Sequence, residues 1–242
     1  MGVDVVLVGC GNMGYAMLAG WLKGGKLKPG EVAVVEPTDA LRERAAKLGV
    51  TAVADAGALP PGSPSIIVIA VKPQVIKDVL KDYAALGDGA ATFVSVAAGT
   101  TIASFEQILG PKTPVLRCMP NTPAAIGKGM MVTFANGNVT PAAQARIADL
   151  LSASGAVAAI PSEDLMDAVT AVSGSGPAYV FHFIEALTKA AESVGLPADV
   201  AKLLAMQTVY GAANLAKEST DEPGELRRQV TSPNGTTQAG LE

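Results

Sequence analysis

The chain has 242 residues, of which 49% are hydrophobic and 17% charged, so it is long and apolar enough to fold around a substantial core. The formal net charge is −4 and the sequence has no basic run, which disfavours a nucleic-acid partner. Cys10 and Cys118 have no Cys or His neighbours at metal-ligand spacing, so neither a metal site nor a disulfide framework is expected. A reducing, cytoplasmic location fits this use of cysteine, and the apolar runs are too short to span a membrane.

The first part of the chain alternates short β-branched runs with helical patterns. The pattern predicts strands at 3–8, 32–35, 66–71, 92–97, 115–118 and 130–134, and helices at 16–23, 40–48, 75–83 and 141–154. Because the strand runs are apolar throughout, they predict a mostly parallel sheet with helices on both faces. We therefore expect an α/β, Rossmann-type, doubly wound domain over residues 1–160.

The pattern becomes entirely helical after residue 160. It predicts helices at 163–172, 177–194 and 198–217, with breaks at 173–176 and 195–197. These helices are rich in alanine and poor in large side chains, which favours close helix packing against a second subunit. We expect an all-helical dimerisation domain over residues 161–242, with an ordinary monomeric bundle as the alternative.

A glycine-rich turn follows the first predicted strand and opens a helix. Gly9, Gly11 and Gly14 permit a tight turn, and the N–H groups around Asn12 and Met13 can approach a pyrophosphate. The strand before the turn and the helix after it favour a dinucleotide site over a glycine turn without a ligand.

Glu36 ends the second predicted strand, where a carboxylate can accept from the adenosine ribose hydroxyls of NADH. Arg42, Arg44 and Thr38 lie close enough in sequence to hold the 2′-phosphate of NADPH instead. A solvated strand end is the alternative for Glu36. The choice between NADH and NADPH stays open at this point.

Four further segments occur in a fixed order behind the glycine turn. They are AVKPQ at 70–74, RCMPNTPA at 117–124, SGSGPAY at 173–179 and VTSPNGTT at 230–237. With the glycine turn, they make the whole chain resemble the pyrroline-5-carboxylate reductase family. The resemblance implies reduction of Δ1-pyrroline-5-carboxylate to L-proline by NADH or NADPH, in a homodimer interlocked through the helical domain or in a ring of such dimers.

The resemblance and the strand ends together indicate further cofactor residues. Residues at the end of the third predicted strand line the cofactor in the family, namely Ala70, Val71, Lys72 and Pro73. The small residues Ala97, Ala98 and Gly99 leave room for the nicotinamide ribose, and the Asn121 amide is available to the carboxamide or the substrate. Turn chemistry alone is the alternative for all of these strand ends.

The loop near the C-terminus is assigned to the substrate carboxylate. The family holds that carboxylate in this loop, which implies Ser232, Gly235, Thr236 and Thr237 here, with a plain helix cap as the alternative. The family usually has glycine where this chain has Asn234, a residue that tolerates left-handed backbone. Relatives continue beyond the position of Glu242 with another helix.

Three side chains are candidates for the imine nitrogen of the substrate. Glu163 can stabilise an iminium, Thr170 lies two helical turns further along the same predicted face, and Thr237 can donate a hydrogen bond. First-turn helix capping is an equally strong interpretation of Glu163.

Two other functions fit the same architecture. A β-hydroxyacid-type dehydrogenase needs a lysine on its interdomain helix, and residues 164–179 contain none. A non-catalytic, NAD(P)-binding regulatory protein would keep the fold without turnover.

Overall fold

The computed structural model describes residues 2–242, whose contacts form two units: one ends at Pro177 and the other is Ala178–Glu242. The strands are β1 Val5–Val8, β2 Val32–Val35, β3 Thr51–Val53, β4 Ile66–Ile69, β5 Thr92–Ser95, β6 Val115–Met119, β7 Gly129–Ala135 and β8 Gly155–Ala159. The helices are α1 Asn12–Lys23, α2 Asp39–Ala46, α3 Ile76–Lys81, α4 Ile102–Leu109, α5 Pro141–Ser152, α6 Met166–Val169, α7 Gly176–Ser193, α8 Ala198–Glu218, α9 Pro223–Gln229 and α10 Thr236–Leu241.

The strands form one sheet in the order β3-β2-β1-β4-β5-β6-β7-β8. Neighbours from β3 to β6 are parallel, β7 runs antiparallel to β6, and β8 is parallel to β7. The first six strands have the order of a dinucleotide-binding Rossmann sheet, whose direction of winding changes between β1 and β4. The predicted fold class, a Rossmann-type mostly parallel sheet followed by a helical region, is confirmed.

Each face of the sheet has its own hydrophobic core. On one face α1 and α5 contribute Met17, Trp21 and Leu150, while the other face buries Leu80 and Phe105 from α3 and α4. Burial of a large apolar side chain contributes about 1.5–3 kcal/mol. The two layers of helices therefore hold the sheet, and with it the edge where β1, β4, β5 and β6 end.

Five elements are absent from the ranges predicted from the sequence: β3, β8, α4, α9 and α10. β3 has only three residues. In β8 a single valine favours a strand, whereas the other residues are glycine and alanine, which are depleted in strands. The predicted break at 173–176 is narrower in the structure, because a π-helical turn occupies Thr170–Gly174, only Ser175 lies outside a helix, and α7 begins at Gly176. The N–H of Ser175 donates to the carbonyl of Thr170, the wider hydrogen bond that defines such a turn.

The helical unit buries little of its own surface. Among its residues only Ala201 and Ala205 are buried, whereas Tyr179, Phe181 and Leu203 are each more than half exposed. In the part of the chain that the structure describes, no helix has the length and apolarity to cross a membrane. The unit is a set of helices that leave many large apolar side chains exposed.

Candidate functional site

The glycine turn after β1 packs against the end of β4. Gly9 has a φ of +90°, and a Cβ there would lie 2.8 Å from the carbonyl oxygen of Ala70 and 2.8 Å from a side-chain carbon of Val71. A Cβ on Gly14 would lie 2.3 Å from the carbonyl oxygen of Gly9. Both positions therefore require glycine, and the turn brings Gly9 and Gly14 beside Ala70 and Val71. The predicted contact of these residues with a cofactor stays a prediction.

Gly11 differs from the other two glycines because a Cβ there would meet nothing within 4 Å. In the described chain, no side chain caps the following helix α1, and its first turn has no acidic residue. The first N–H groups of a helix have no acceptor within it, so this end of α1 is suited to an anion. The open space at Gly11 and these N–H groups fit the pyrophosphate of a dinucleotide.

A cavity of ≈ 460 Å³ lies beside the start of α1. Its walls include Asn12, Met13, Tyr15 and Arg44, together with Thr122 from the turn after β6. The cavity therefore connects the glycine turn with the turn that follows β6, both at the edge where parallel strands bind ligands.

Glu36 is buried at the end of β2, with 5% of its surface exposed, so the alternative of a solvated strand end is wrong. One carboxylate oxygen accepts from the N–H of Cys10 at 2.8 Å, and the other accepts from the N–H of Thr38 at 2.9 Å. Its side chain therefore holds the glycine turn. The predicted contact with the adenosine ribose stays a prediction.

The two arginines of α2 also bind backbone oxygens around the turn. Arg44 donates to the carbonyls of Cys10 at 2.8 Å and Gly11 at 3.2 Å, and its guanidinium lies 4.1 Å from the ring centre of Tyr15. Arg42 donates to the carbonyl of Glu36 at 3.0 Å. Burial raises the pKa of the Cys10 thiol to about 11, so the residue between the glycines is an uncharged thiol.

The ends of β5 and β6 lie side by side, since Ser95 pairs with Arg117 across the two strands. Ala97 is buried, Ala98 and Gly99 are exposed, and Gly99 has a φ of +72° with open space where a Cβ would point. Lys72 and Pro73 are exposed after β4, where Pro73 begins a short 3-10 helix. These strand ends lie on the edge that the sequence predicted.

Asn121 binds the chain itself through both groups of its amide. The amide nitrogen donates to the carbonyl of Ser173 at 3.1 Å, and the amide oxygen accepts from the N–H of Met130 at 2.8 Å. Asn121 therefore connects the π-helical turn to the start of β7, just after the end of β6. Its contact with cofactor or substrate stays a prediction.

Glu163 and Thr170 also have partners within the chain. One carboxylate oxygen of Glu163 lies 2.5 Å from the guanidinium of Arg117 and accepts from the N–H of Ile102 at 2.9 Å. The hydroxyl of Thr170 donates to the carbonyl of Met166 at 2.8 Å. The ion pair was not predicted from the sequence, because a single arginine in an apolar strand does not indicate which distant carboxylate it will contact.

The predicted substrate loop lies in the helical unit. Asn234 adopts a φ of +58°, the left-handed backbone expected for the residue that replaces glycine there. The N–H of Gly235 donates to the carbonyl of Ser232 at 3.0 Å, and α10 begins at Thr236 with Thr237 next to it. The loop is thus a closed turn that presents hydroxyl groups at the start of a short helix.

The fold and the glycine turn define a dinucleotide-binding protein of the Rossmann class, followed by a helical region. In the part of the chain that the structure describes, no group of three or more His, Cys, Asp or Glu side chains is placed to hold a metal ion. A family model described as pyrroline-5-carboxylate reductase dimerisation matches residues 163–242, and one described as NADP oxidoreductase, coenzyme F420-dependent, matches residues 4–99.

Named relatives extend this match over the whole chain. Pyrroline-5-carboxylate reductase of Pseudomonas aeruginosa is 40% identical over 98% of this chain and 86% of its own length, and that of Synechocystis is 39% identical over 100% and 89%. The structure of a pyrroline-5-carboxylate reductase from Coxiella burnetii superposes with a TM-score of 0.90 at 35% identity, covering 100% of this chain and 89% of that one. The chain belongs to the pyrroline-5-carboxylate reductase family.

Family membership bears on two of the alternatives considered above. The relatives favour neither a β-hydroxyacid-type dehydrogenase nor a non-catalytic regulatory protein. The dimerisation match falls on the helices whose apolar faces are exposed, so this region makes the chain a homo-oligomer.

Proposed function

We propose that this protein reduces Δ1-pyrroline-5-carboxylate to L-proline, with NADPH or NADH as the hydride donor. The observation that carries the proposal is the extent of the similarity: the Synechocystis reductase matches 100% of this chain. The match therefore includes both the glycine turn and the loop Ser232–Thr237. A protein that only bound a dinucleotide would not need the loop Ser232–Thr237.

The cofactor is assigned to the edge of the sheet that carries the glycine turn. Gly9, Gly11, Asn12, Met13 and Gly14 surround the pyrophosphate, with Glu36 behind them. The walls of the site come from the ends of β4, β5 and β6, namely Ala70, Val71, Lys72, Pro73, Ala97, Ala98, Gly99 and Asn121. A reductase of this family from Plasmodium falciparum, with a TM-score of 0.84 and 29% identity, has been solved with NADP bound, which supports this assignment.

The reduced nicotinamide, when bound, supplies a hydride to the imine carbon of the substrate. The electron pair of the C=N π bond then moves to nitrogen. A nitrogen that is protonated beforehand therefore becomes a neutral amine. The protein contributes position and electrostatics. Ser232, Gly235, Thr236 and Thr237 hold the carboxylate, and a Cβ on Gly235 would come within 3.0 Å of the carbonyl oxygen of Ser232, so the turn favours glycine there.

The nitrogen of the substrate has three candidate neighbours, Thr237, Thr170 and Glu163. We favour Thr237 among them, because the hydroxyl of Thr170 already donates to the carbonyl of Met166 in α6 and Glu163 already pairs with Arg117. We assign hydrogen bonding at the nitrogen to Thr237.

The proposal extends to the organisation of the enzyme. Residues 1–160 form the dinucleotide-binding domain, and residues 161–242 form the substrate-binding and dimerisation domain of a dimer or of a ring of dimers. A cytoplasmic location agrees with two cysteines that are both buried thiols. The partners are the small substrate and further copies of the chain.

Loss of reduced-cofactor absorbance tests the proposal directly. Purified protein is mixed with NADPH or NADH, pyrroline-5-carboxylate is added, and proline is measured in the same samples. We expect equal amounts of cofactor oxidised and proline formed, and the ratio of kcat/KM values identifies the preferred cofactor. Cofactor binding without oxidation would contradict the proposal and favour a regulatory protein.

A further inference from the structure

Arg117 and Glu163 form an ion pair that no sequence motif indicated. Arg117 lies in β6 and is 5% exposed, while Glu163 begins the 3-10 helix Glu163–Leu165. The guanidinium and the carboxylate are 2.5 Å apart. A guanidinium buried to this extent is costly without its carboxylate, so removal of Glu163 alone is expected to destabilise the fold.

The same carboxylate oxygen reaches a third element. It accepts from the N–H of Ile102, the first residue of α4, at 2.9 Å. The first N–H of a helix has no acceptor within the helix, and a negative charge is stabilised at that end. Glu163 thus joins β6, α4 and the start of the segment that leads into α6.

The elements joined by Glu163 carry two of the turns that we assign to the nicotinamide end of the cofactor. Only Thr100 and Thr101 separate Gly99 from Ile102, and Asn121 lies just beyond the end of the strand that holds Arg117. The pairing of Ser95 with Arg117 sets both turns on one edge of the sheet. The contacts of Glu163 with Arg117 and Ile102 therefore link the two elements that carry these turns.

We propose that Glu163 and Arg117 are positioning residues for hydride transfer, a role that rests on the proposed function. Their ion pair, extended to the N–H of Ile102, fixes the turn at 97–99 relative to the turn that carries Asn121. Glu163 then acts through Arg117 and Ile102 and does not contact the imine nitrogen. We call the contacts among Arg117, Glu163 and Ile102 the clamp. A displacement of about 1 Å between reacting groups costs about 100-fold in rate, so loss of the clamp is expected to slow the reaction without preventing cofactor binding.

The decisive variant removes the clamp without leaving a charge buried. Replacement of a buried ion pair by apolar residues of similar volume is often neutral for stability, so Arg117→Met combined with Glu163→Leu is expected to fold. We expect single-turnover hydride transfer to slow by about 10- to 100-fold, with the cofactor Kd changed by less than about threefold. In the cofactor-free protein, hydrogen exchange of the 97–105 peptide is expected to accelerate, because the N–H of Ile102 loses its acceptor.

Glu163→Gln separates positioning from proton transfer. The amide oxygen still accepts from Ile102, so the loss of rate is expected to be smaller, and the pH profile of hydride transfer keeps every inflection of the unmodified enzyme. Asp78→Asn is the matched control, since it removes the carboxylate of an exposed ion pair with Lys81 in α3. The control is expected to leave rate, Kd and exchange unchanged.

Two results would overturn the proposal. One is a folded double variant that transfers hydride at the unmodified rate, and the other is a Glu163→Gln enzyme that has lost an inflection from its pH profile. If the double variant does not fold, Arg117→Lys and Glu163→Gln decide, because unmodified rates in both exclude a positioning role. An unmodified protein that never oxidises the cofactor instead contradicts the proposed function itself.

Discussion

The buried side chain of Glu36 holds the backbone of the glycine turn in place. Its carboxylate accepts the N–H groups of Cys10 and Thr38 and is almost fully buried. In Glu36→Gln the amide keeps one acceptor oxygen and turns its NH₂ group towards a backbone N–H. We expect a loss of about 1–3 kcal/mol in unfolding free energy and a cofactor Kd raised by about tenfold, because the glycine turn is held less firmly.

Urea unfolding and titration with NADPH or NADH measure the two effects of Glu36→Gln. Glu43→Gln is a suitable control, since Glu43 is an exposed residue of α2. Unchanged stability and unchanged cofactor affinity in Glu36→Gln would show that the buried carboxylate does not hold the turn.

Thr237 is the residue through which the assignment of the substrate loop is tested most directly. Removing a hydroxyl that bonds a charged carboxylate costs about 1.5–3 kcal/mol, so Thr237→Ala is expected to raise the KM for pyrroline-5-carboxylate by about 10- to 100-fold. Steady-state kinetics at saturating cofactor measure this, with Thr51→Ala in the edge strand β3 as the control. If neither KM nor kcat changes, the assignment of the substrate loop is wrong.

At the scale of the element, two alanine substitutions in the glycine turn are expected to affect different properties, one the cofactor affinity and the other the stability. A Cβ at Gly11 meets nothing within 4 Å, whereas a Cβ at Gly14 would lie 2.3 Å from the carbonyl oxygen of Gly9. Gly11→Ala is therefore expected to keep the melting temperature and to raise the cofactor Kd by about tenfold or more, because the methyl group occupies the room for the pyrophosphate. Gly14→Ala is expected to lose about 1–3 kcal/mol of stability from overpacking.

Thermal melts and cofactor titrations of the two alanine variants form one experiment, with each variant as the other's control. A Gly11→Ala protein that binds the cofactor as tightly as the unmodified chain would show that the pyrophosphate lies elsewhere.

The elements that the sequence predicted well are those whose own residues decide their structure. The apolar runs that became β1, β2, β4 and β5 are buried on both faces, and this is the pattern that a parallel sheet imposes. In contrast, β8 has the sequence GAVAA, which predicts no strand by itself, and it is a strand because it pairs with β7. The clamp of Arg117, Glu163 and Ile102 escaped prediction for the same reason, since its members meet only once the chain has folded.

At the scale of the whole molecule, the helical unit is incomplete as a single copy. Its only buried side chains are Ala201 and Ala205, while Phe181, Phe183 and Leu203 are each more than half exposed. Soluble monomers rarely expose contiguous apolar surface on this scale. Since the dimerisation match covers this region, we expect these exposed faces to pack against another copy of the chain.

This dependence predicts that stability rises with protein concentration, because association stabilises the folded state by mass action. The melting temperature is expected to rise across a 100-fold range of concentration, and light scattering is expected to give a mass above the 24.4 kDa of one chain. Phe181→Asp places a charge on the exposed face of α7, so it is expected to lower the mass and the melting temperature together, whereas Glu185→Gln on the same helix should change neither. A monomeric protein whose melting temperature is independent of concentration would contradict the prediction, because its exposed helix faces would then be stable in water without a partner.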